Sequence, residues 1–293
     1  RSSISRPNKS NGDSGDPSDC YGKMMKVLFF GDVFGKAGRR IVCDYLPELK
    51  EEFNPDFVIL NGENLADGRG LTEKTSKILF NAGVDVITGG NHLWDRADSW
   101  DYIRNNHAII KPLNYPVATP GNPYYTIVNN GKRLTVMNLC GQLFMPPTNS
   151  PFIAFESWFN SNHINNSSCI LIDFHSESTS EKRAFGWFVD GKVSAVIGTH
   201  THIQTADEEI LPQGTAYITD AGMTGAHNSV IGVKKEIIIE KFRHCLPLRY
   251  ESSDLGPQIN AVYLELDDLT HKAQKILRIR RLIEYKNNIY NEE

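Results

Sequence analysis

The sequence has few cysteines, and their spacing excludes two common uses of this residue. The five cysteines are scattered, and no two of them form a CxxC motif. An odd number without paired spacing argues against a disulfide framework and against a zinc ribbon. This usage is typical of a reducing compartment, so we expect a cytoplasmic protein. The cysteines are Cys20, Cys43, Cys140, Cys169 and Cys245.

Long apolar runs and basic runs are also missing. No apolar stretch reaches the roughly 20 residues that a helix needs to span a bilayer, so we expect no membrane segment. The 293 residues include 31 Lys and Arg against 35 Asp and Glu, a formal net charge of −4. Without a basic stripe we expect no broad nucleic-acid-binding face, whereas a small anionic substrate remains compatible with the sequence.

Residues 1–24 differ from the rest of the chain in composition. They are rich in Ser, Asn, Gly, Asp and Pro, and they lack the apolar segment of a secretory signal. We predict a disordered leader or an appended remnant over 1–24 and a single domain over 25–293. The chain is long enough to bury a sizeable core, and no fixed repeat divides it.

From residue 25 onward, short apolar runs alternate with segments of helical periodicity. This alternation indicates an α/β core. Predicted strands cover 25–32, 56–64, 84–92, 169–175, 192–202, 214–222 and 259–268, and 273–285 is a strand or a helix. Predicted helices cover 37–53, 71–83 and 150–163, and a hairpin with an Asn-Asn-Gly turn covers 124–141.

Polar side chains follow the apolar runs at most of the predicted strand ends. Sites in open α/β sheets lie beyond the carboxyl ends of the strands, where residues distant in sequence converge. Taken singly, each side chain also has an ordinary explanation as a helix cap, a loop residue or a core histidine. Their joint occurrence indicates a site. The residues are Asp32, Glu63, Asn64, Asn91, His92, His175, His200 and His202.

The residue types of this set indicate a transition-metal site. Carboxylates, carboxamides and imidazoles without a thiolate suit Mn, Fe, Zn, Co or Ni better than a structural zinc cage. Eight candidates are too many for one ion and suit two. Two ions about 3.5–4 Å apart can clamp a phosphate, generate a hydroxide and stabilise a leaving oxygen. We expect a carboxylate to bridge them, and Glu63 is the natural candidate.

Five motifs, taken in order, resemble those of the calcineurin-like metallophosphoesterases. They are GDVFG, NGEN, GGNHLWD, DFH and GTHTH. The long block 173–225, followed by SVIG at 229–232, is most similar to the YmdB-type phosphodiesterase branch, and the resemblance runs from about Met25 to the C-terminal strands. Two positions depart from the broad superfamily. Phe34 replaces a histidine of the first motif, and Glu63 replaces the bridging Asp, and the YmdB-type branch shares both changes.

The resemblance implies a fold and a ligand set. The fold is α/β, a four-layer α/β/β/α sandwich with two mixed β-sheets. The cofactors are two divalent or trivalent transition-metal ions, iron or manganese first, with zinc, cobalt and nickel as alternatives. The implied ligands are Asp32, Glu63, Asn64 and His202 for one ion, and Glu63, Asn91, His175 and His200 for the other.

The implied activity is that of a dinuclear-metal phosphodiesterase. A metal-bridging hydroxide attacks phosphorus in line, and His92, which is not a ligand, is the general acid, a task that suits an imidazole. The substrate is a small phosphodiester, such as 2′,3′- or 3′,5′-cAMP. Two alternatives stay open: a phosphomonoesterase or nucleotidase with the same centre, and a metal-bearing regulatory or scaffold protein in RNA metabolism. A homo-oligomer is compatible with the sequence.

Further residues within and beside the motifs have two open interpretations each. They either orient the ligands or contact the substrate, or they have ordinary roles in turns, packing and solvation. They are Thr199, Thr201, Thr205, Asp207, Arg69, Arg96, Phe34 and Trp94.

Overall fold

The computed structural model describes residues 24–161 and 168–283. The predicted leader lies outside these residues except for Met24, which begins the first strand. The last two residues of the predicted helix 150–163 and of the predicted segment 273–285 also lie outside them.

Strands and helices alternate through the first half of the described chain. The strands are β1 (Met24–Phe30), β2 (Asp32–Val33), β3 (Phe57–Asn61), β4 (Val86–Thr88), β5 (Ile109–Ile110), β6 (Tyr124–Asn129), β7 (Lys132–Cys140), β8 (Cys169–His175), β9 (Ala195–Thr199), β10 (Glu209–Ile210), β11 (Ala216–Ile218), β12 (Met223–Ala226), β13 (Pro257–Asp267) and β14 (Ala273–Leu282). The helices are α1 (Gly35–Phe53), α2 (Glu73–Ala82), α3 (Trp100–Asn105), α4 (Pro151–Ser161), α5 (Thr179–Val189) and α6 (Lys235–His244).

The strands form two mixed sheets. The first sheet has the order β2-β12-β13-β1-β3-β4-β5, with β14 paired to β13. Within it, β1, β3, β4 and β5 run parallel, whereas β13 is antiparallel to β1. The second sheet has the order β10-β11-β9-β8-β7-β6, with a parallel centre and antiparallel edges.

The alternation of side chains along the strands produces four layers. Leu28 and Phe30 of β1 pack against apolar residues of α1, while their neighbour Phe29 faces the second sheet. The far face of the second sheet packs against α4 and α5, where Phe174 stacks on Phe185. Because successive side chains of a strand point to opposite faces, the central strands of each sheet are buried on both sides. The predicted α/β/β/α sandwich with two mixed sheets is confirmed.

Local sequence signals explain several element ends. Thr72 accepts from the backbone N–H of Thr75, and the Thr75 hydroxyl accepts from the backbone N–H of Thr72, which closes a capping box at the start of α2. Gly83 ends the same helix in the left-handed conformation, as predicted. Asn130 and Gly131 both have positive φ, which is the geometry of a tight turn between β6 and β7.

Some predicted elements differ in extent from the observed ones. The predicted strand 25–32 is divided at Gly31, where a Cβ would lie 1.9 Å from the carbonyl oxygen of Gly222. The predicted strand 214–222 is a strand only over β11, and 273–285 is a strand over β14 rather than a helix. The sequence patterns did not reveal α3, α5 or α6, although α5 carries a buried face that covers the second sheet.

None of the helices within 24–161 and 168–283 combines the length and apolar character needed to cross a bilayer.

Candidate metal centre

The site residues lie where strands of both sheets end. Asp32 follows β1, and Glu63 follows β3 in the first sheet. His175 ends β8 and His200 follows β9 in the second sheet. The two sheets face each other, so their carboxyl ends open into one crevice and bring together residues that are up to 170 positions apart in sequence.

Three side chains form the densest part of the site. The Nε2 atom of His175 lies 3.0 Å from Oε1 of Glu63 and 3.1 Å from Nδ1 of His200. Potential ligand atoms of these three residues all lie within 4.8 Å of one another. Such a convergence of lone pairs in a buried crevice is typical of a cation site.

Asn91 completes this half of the site. Its Oδ1 lies 3.2 Å from Nε2 of His175, and the preceding Gly90 permits the approach. A Cβ at Gly90 would lie 2.2 Å from Oε2 of Glu63 and 2.6 Å from Nε2 of His175. Only glycine therefore lets this backbone segment pass between the two side chains.

A second half of the site lies on the other side of Glu63. The Nε2 atom of His202 is 3.7 Å from Oδ1 of Asp32 and 3.3 Å from Nδ2 of Asn64. The same Nδ2 lies 3.1 Å from Oε1 of Glu63. Oε1 of Glu63 is thus in contact with both halves, the arrangement that a bridging carboxylate requires.

The imidazole rings are oriented by partners outside the site. Nδ1 of His202 lies 3.0 Å from the carbonyl oxygen of Ile231 and therefore carries the proton, which leaves the lone pair on Nε2. Nε2 of His200 lies 3.1 Å from Oε2 of Glu177, so Nδ1 is the nitrogen that faces His175. Each ring presents one defined nitrogen to the site.

The backbone around these histidines is strained. His200 has φ of 99° and His202 has φ of 65°, both in the left-handed region that non-glycine residues rarely adopt. Such a conformation costs on the order of 1–3 kcal/mol per residue. The backbone N–H of His200 donates to Oδ2 of Asp32 at 3.0 Å, and this bond holds the strained segment against the first sheet.

His92 has a different environment. Its backbone N–H donates to Oε2 of Glu63 at 2.9 Å, while its Nδ1 lies 2.9 Å from Oδ2 of Asp95. Its side chain is 30% exposed, whereas those of Glu63 and His175 are buried. His92 is therefore fixed at the rim, with Nε2 as the nitrogen available to a substrate.

Burial and mutual charge shift the pKa values of the buried groups. Burial raises the pKa of Asp32, against the attraction of His202 and His175. Burial also acts to raise the pKa of Glu63, but the charge and hydrogen bond of His175 outweigh it and lower that pKa. Burial acts to lower the pKa of His175, yet Glu63 raises it to about 9. Burial and the charge of His175 lower the pKa of His200 to about 3. A neutral His200 is a competent metal ligand.

The residues present fit a pair of transition-metal ions. Oδ1 of Asp32 is buried and has no hydrogen-bond partner among the described residues. A buried carboxylate oxygen without a donor is costly unless a cation compensates it. Carboxylate, amide and imidazole donors without sulfur suit the metals predicted from the sequence. Their roles as ligands stay predictions.

The structure also places the residues whose roles were open. The guanidinium of Arg96 donates to the carbonyl oxygens of Ala66 and Arg69, so it braces the loop after Glu63, whereas Arg69 is exposed. Phe34 is buried and lies edge-on to the ring of His202 at 5.7 Å, and Trp94 packs on Tyr115. Both aromatic side chains pack within the protein.

The polar residues around the second histidine motif divide into two groups. Thr199 lies 2.8 Å from Nδ1 of His175 and so contacts a predicted ligand. Thr201 and Thr205 instead bond to Asp220, and Asp207 bonds to Thr219. These three residues shape the loop that carries His200 and His202.

Three partners of the site histidines were missed by the sequence analysis. Asp95 and Glu177 are ordinary acidic residues in loops, although each stands within three positions of a predicted site histidine. That proximity is a usable signal. The third partner is the backbone carbonyl of Ile231. Every residue has such a carbonyl, so the residue type does not indicate this contact.

Comparisons with known proteins identify the family of this chain. The model of the YmdB-like protein family matches residues 28–279. A 2′,3′-cyclic-nucleotide 2′-phosphodiesterase of Bacillus subtilis is 46% identical over 255 residues, which are 87% of this chain and 96% of the relative.

Two solved structures share the whole fold. A phosphatase of Mycoplasma pneumoniae has a TM-score of 0.84 at 36% identity, covering 89% of this chain and 94% of its own. A hypothetical protein of Thermus thermophilus has a TM-score of 0.82 at 35% identity, covering 88% of this chain and 99% of its own. The predicted resemblance is confirmed, and the chain belongs to the YmdB-like protein family.

Proposed function

We propose that this chain hydrolyses phosphodiesters of cyclic nucleotides, 2′,3′-cyclic nucleotides first, at a centre of two transition-metal ions. The observation that carries the proposal is the position of Glu63, whose Oε1 lies 3.0 Å from His175 and 3.1 Å from Asn64. One carboxylate between two sets of donors supports a pair of ions and disfavours a single structural ion.

The predicted enzyme class, a phosphoric ester hydrolase, is confirmed. The Bacillus subtilis relative is a phosphodiesterase and is matched over nearly its full length. Its name also supports the substrate class, because it acts on a 2′,3′-cyclic nucleotide by opening the 2′ ester.

Each half of the site would supply the donors for one of the two proposed ions. Asp32, Asn64 and His202 would hold one ion, and Asn91, His175 and His200 would hold the other, with Glu63 shared. Asn91 already presents its Oδ1. Asn64 presents Nδ2 and would ligate through Oδ1, so its amide would exchange the two positions.

The chain's own residues supply the proton that the reaction needs. When bound, the ions would activate a water and stabilise charge on the phosphate. Opening the 2′ ester of a cyclic phosphate releases an alkoxide, which takes a proton from Nε2 of His92. Asp95, 2.9 Å from Nδ1, holds the orientation of the ring so that Nε2 faces outward. The bond from the His92 backbone to Glu63 fixes this acid relative to the proposed centre.

A phosphomonoesterase with the same centre is the second candidate. The structural neighbour from Mycoplasma pneumoniae, which is called a phosphatase, favours it. The half-exposed rim formed by His92 and Glu177 would admit a terminal phosphate as well as a diester.

The test couples metal analysis with a comparison of substrates. Purified protein is assayed for bound metals by mass spectrometry and for kcat/KM on 2′,3′-cAMP, 3′,5′-cAMP and p-nitrophenyl phosphate. We expect two ions per chain and conversion of 2′,3′-cAMP to the 3′-phosphate. Faster turnover of p-nitrophenyl phosphate would identify the phosphomonoesterase instead. Two bound ions without turnover of any substrate would favour the regulatory or scaffold role.

Three further predictions accompany this proposal and stay predictions. They are a cytoplasmic location, the absence of a broad nucleic-acid-binding face, and the compatibility of the chain with a homo-oligomer. The division of the chain into a leader over 1–24 and one domain over 25–293 is proposed in the same sense.

A further inference from the structure

Four polar residues lie fully buried beneath the site, between the two sheets. Asn61 ends β3 and Thr88 ends β4 in the first sheet, whereas Asp173 in β8 and Thr199 in β9 belong to the second. Each of them is 0% exposed. We call these four residues the inter-sheet polar cluster. Polar side chains inside a sandwich of apolar layers are costly unless their hydrogen bonds are satisfied.

Asp173 is the acceptor at the centre of the cluster. Its Oδ1 accepts from the hydroxyl of Thr199 at 2.6 Å. Its Oδ2 accepts from Nδ2 of Asn61 at 2.9 Å and from the hydroxyl of Thr88. An ionised carboxylate can only accept, so these donors all direct protons toward Asp173. The carboxylate thereby connects strands of both sheets.

The orientation of the Asn61 amide is fixed by its other bonds. Its Oδ1 accepts from the backbone N–H of Glu63 at 3.1 Å. Its two amide protons go to the carbonyl oxygen of Gly89 at 2.8 Å and to Asp173. The amide therefore has no proton left for Nδ1 of His175, which lies 3.5 Å away. The cluster also fixes the backbone that carries Glu63.

The direction of the Thr199 hydroxyl then decides the tautomer of His175. The single hydroxyl proton is directed to Asp173, so the oxygen must accept from Nδ1 of His175, 2.8 Å away. Nδ1 therefore carries a proton. A metal would therefore bind at Nε2, the atom that lies 3.0 Å from Glu63 and donates to it in the absence of metal.

We propose that the inter-sheet polar cluster is a positioning device for the metal centre. Through Thr199, the carboxylate of Asp173 sets His175 in the Nδ1–H tautomer. Through Asn61 and Thr88, it ties the second sheet to the first beside Glu63. The inference rests on the proposed metal centre, and it assigns roles to three residues that are not among the predicted ligands: Asn61, Thr88 and Asp173.

The test uses Zn²⁺ as a diamagnetic probe on the full chain. The variants are Thr199→Val, which removes the hydroxyl at constant shape, and Thr199→Ser, which keeps it. Thr135→Val is the matched control. Thr135 is another fully buried threonine of the second sheet, and its hydroxyl lies 2.8 Å from Thr126 and 2.9 Å from Ser168, away from the site histidines. Zinc affinity is measured by competition with a chromophoric chelator.

We expect Thr199→Val to weaken zinc binding by about 10–100-fold, since loss of an outer partner of a metal-binding histidine has that effect. Thr199→Ser is expected to restore affinity to near the wild-type value, and Thr135→Val to leave it unchanged. Equal affinities of Thr199→Val and Thr135→Val would overturn the proposal. A general loss of packing would weaken zinc binding in both Thr199→Val and Thr135→Val, and Thr199→Ser would not restore it.

A second measurement needs no variant. Long-range ¹H–¹⁵N correlation spectra of the zinc-loaded wild type identify which nitrogen of each histidine carries a proton. We expect a proton on Nδ1 and zinc on Nε2 of His175. Zinc on Nδ1 would overturn the proposed hydrogen-bond direction. Neither measurement requires turnover, so zinc binding with the expected tautomer but without hydrolysis of cyclic nucleotides would refute the proposed function alone.

Discussion

At the scale of single residues, His92 combines a fixed backbone with an accessible ring. Its N–H is held by Glu63, its Nδ1 contacts Asp95, and its side chain is 30% exposed. The other site histidines in the described chain face inward, toward carboxylates or one another. The accessible ring of His92 can donate a proton to a substrate, whereas the inward-facing rings are placed to bind metal.

We expect His92→Ala to keep its metals and to lose turnover of 2′,3′-cAMP. Loss of a positioned general acid lowers kcat by about 10²–10⁴-fold. Activity on bis(p-nitrophenyl) phosphate should fall much less, because its leaving group needs little protonation. Metal content by mass spectrometry and kcat on both substrates check this. Unchanged kcat on the cyclic nucleotide would remove His92 from the mechanism.

We expect Glu63→Gln to lose both bound metal and activity. The amide carries no charge, and one of its terminal atoms is a donor that cannot bind a cation. Glu209→Gln is the control, since Glu209 in β10 pairs with Arg183 outside the site and is partly exposed. It should retain two ions per chain. A Glu63→Gln protein that also retains two ions would refute the bridge.

The site residues that could be predicted from the sequence are those that stand at the ends of apolar runs. Asp32, Glu63, Asn91 and His175 end apolar runs, and that pattern is visible in the sequence. Asp173 was not predicted because it stands inside a buried strand, where its partners come from other strands. The Ile231 carbonyl was not predicted because a backbone group leaves no trace in residue identity.

At the scale of elements, α5 fixes the loop that carries the second histidine motif. Nζ of Lys182 on this helix lies 2.7 Å from Oδ2 of Asp220, and both side chains are buried. The same carboxylate accepts from the backbone N–H of Thr201 at 3.1 Å and from its hydroxyl at 2.8 Å. Thr201 stands between the two strained histidines, so this ion pair helps to hold their conformation.

We expect Lys182→Met to destabilise the metal-free protein by about 3–5 kcal/mol, because it leaves the Asp220 charge buried without its partner. Urea unfolding measures the change. Lys234→Met is the matched control, since Lys234 pairs with Glu251 at the surface. Its loss should cost about 1 kcal/mol or less. Equal changes in the free energy of unfolding would show that the buried pair stabilises the protein no more than the surface pair does.

The elements themselves were predictable to different degrees. The strand over 169–175 and the 124–141 hairpin follow from apolar runs and from a turn that needs positive φ. The helices α3, α5 and α6 were missed. The buried face of α5 includes the charged residues Glu181 and Lys182, and α6 buries Ile238 alone, so apolar patterns do not mark either face. Gly31 divides the first strand because of a contact with Gly222, which lies about 190 residues later. Contacts of that range are invisible to local patterns.

At the scale of the whole molecule, the proposed ligands come from both sheets. Binding of metal therefore connects layers that are otherwise held by apolar packing and the inter-sheet polar cluster. Ligands that bind only the native state stabilise it by mass action.

We expect metal removal by a chelator to lower the melting temperature by about 5–10 °C. Binding at about 100 times the dissociation constant contributes about 2.7 kcal/mol, and each kcal/mol corresponds to about 2–4 °C in a protein near this size. Calorimetry with and without EDTA measures the shift, and Mn²⁺ should restore both stability and activity. Identical melting curves and activity after complete metal removal would contradict a resident metal centre.

The position of β13 bears on when the site is completed. This strand, formed by residues 257–267, lies between β12 and β1 in the first sheet, and the carbonyl of Asn260 accepts from Gly31 beside Asp32. A growing chain that has emerged as far as His202 already contains all seven predicted ligands, yet it lacks β13, which completes the first sheet. During synthesis on the ribosome the first sheet therefore stays incomplete until residue 267 has emerged, and we expect the proposed metal centre to be completed only after that point.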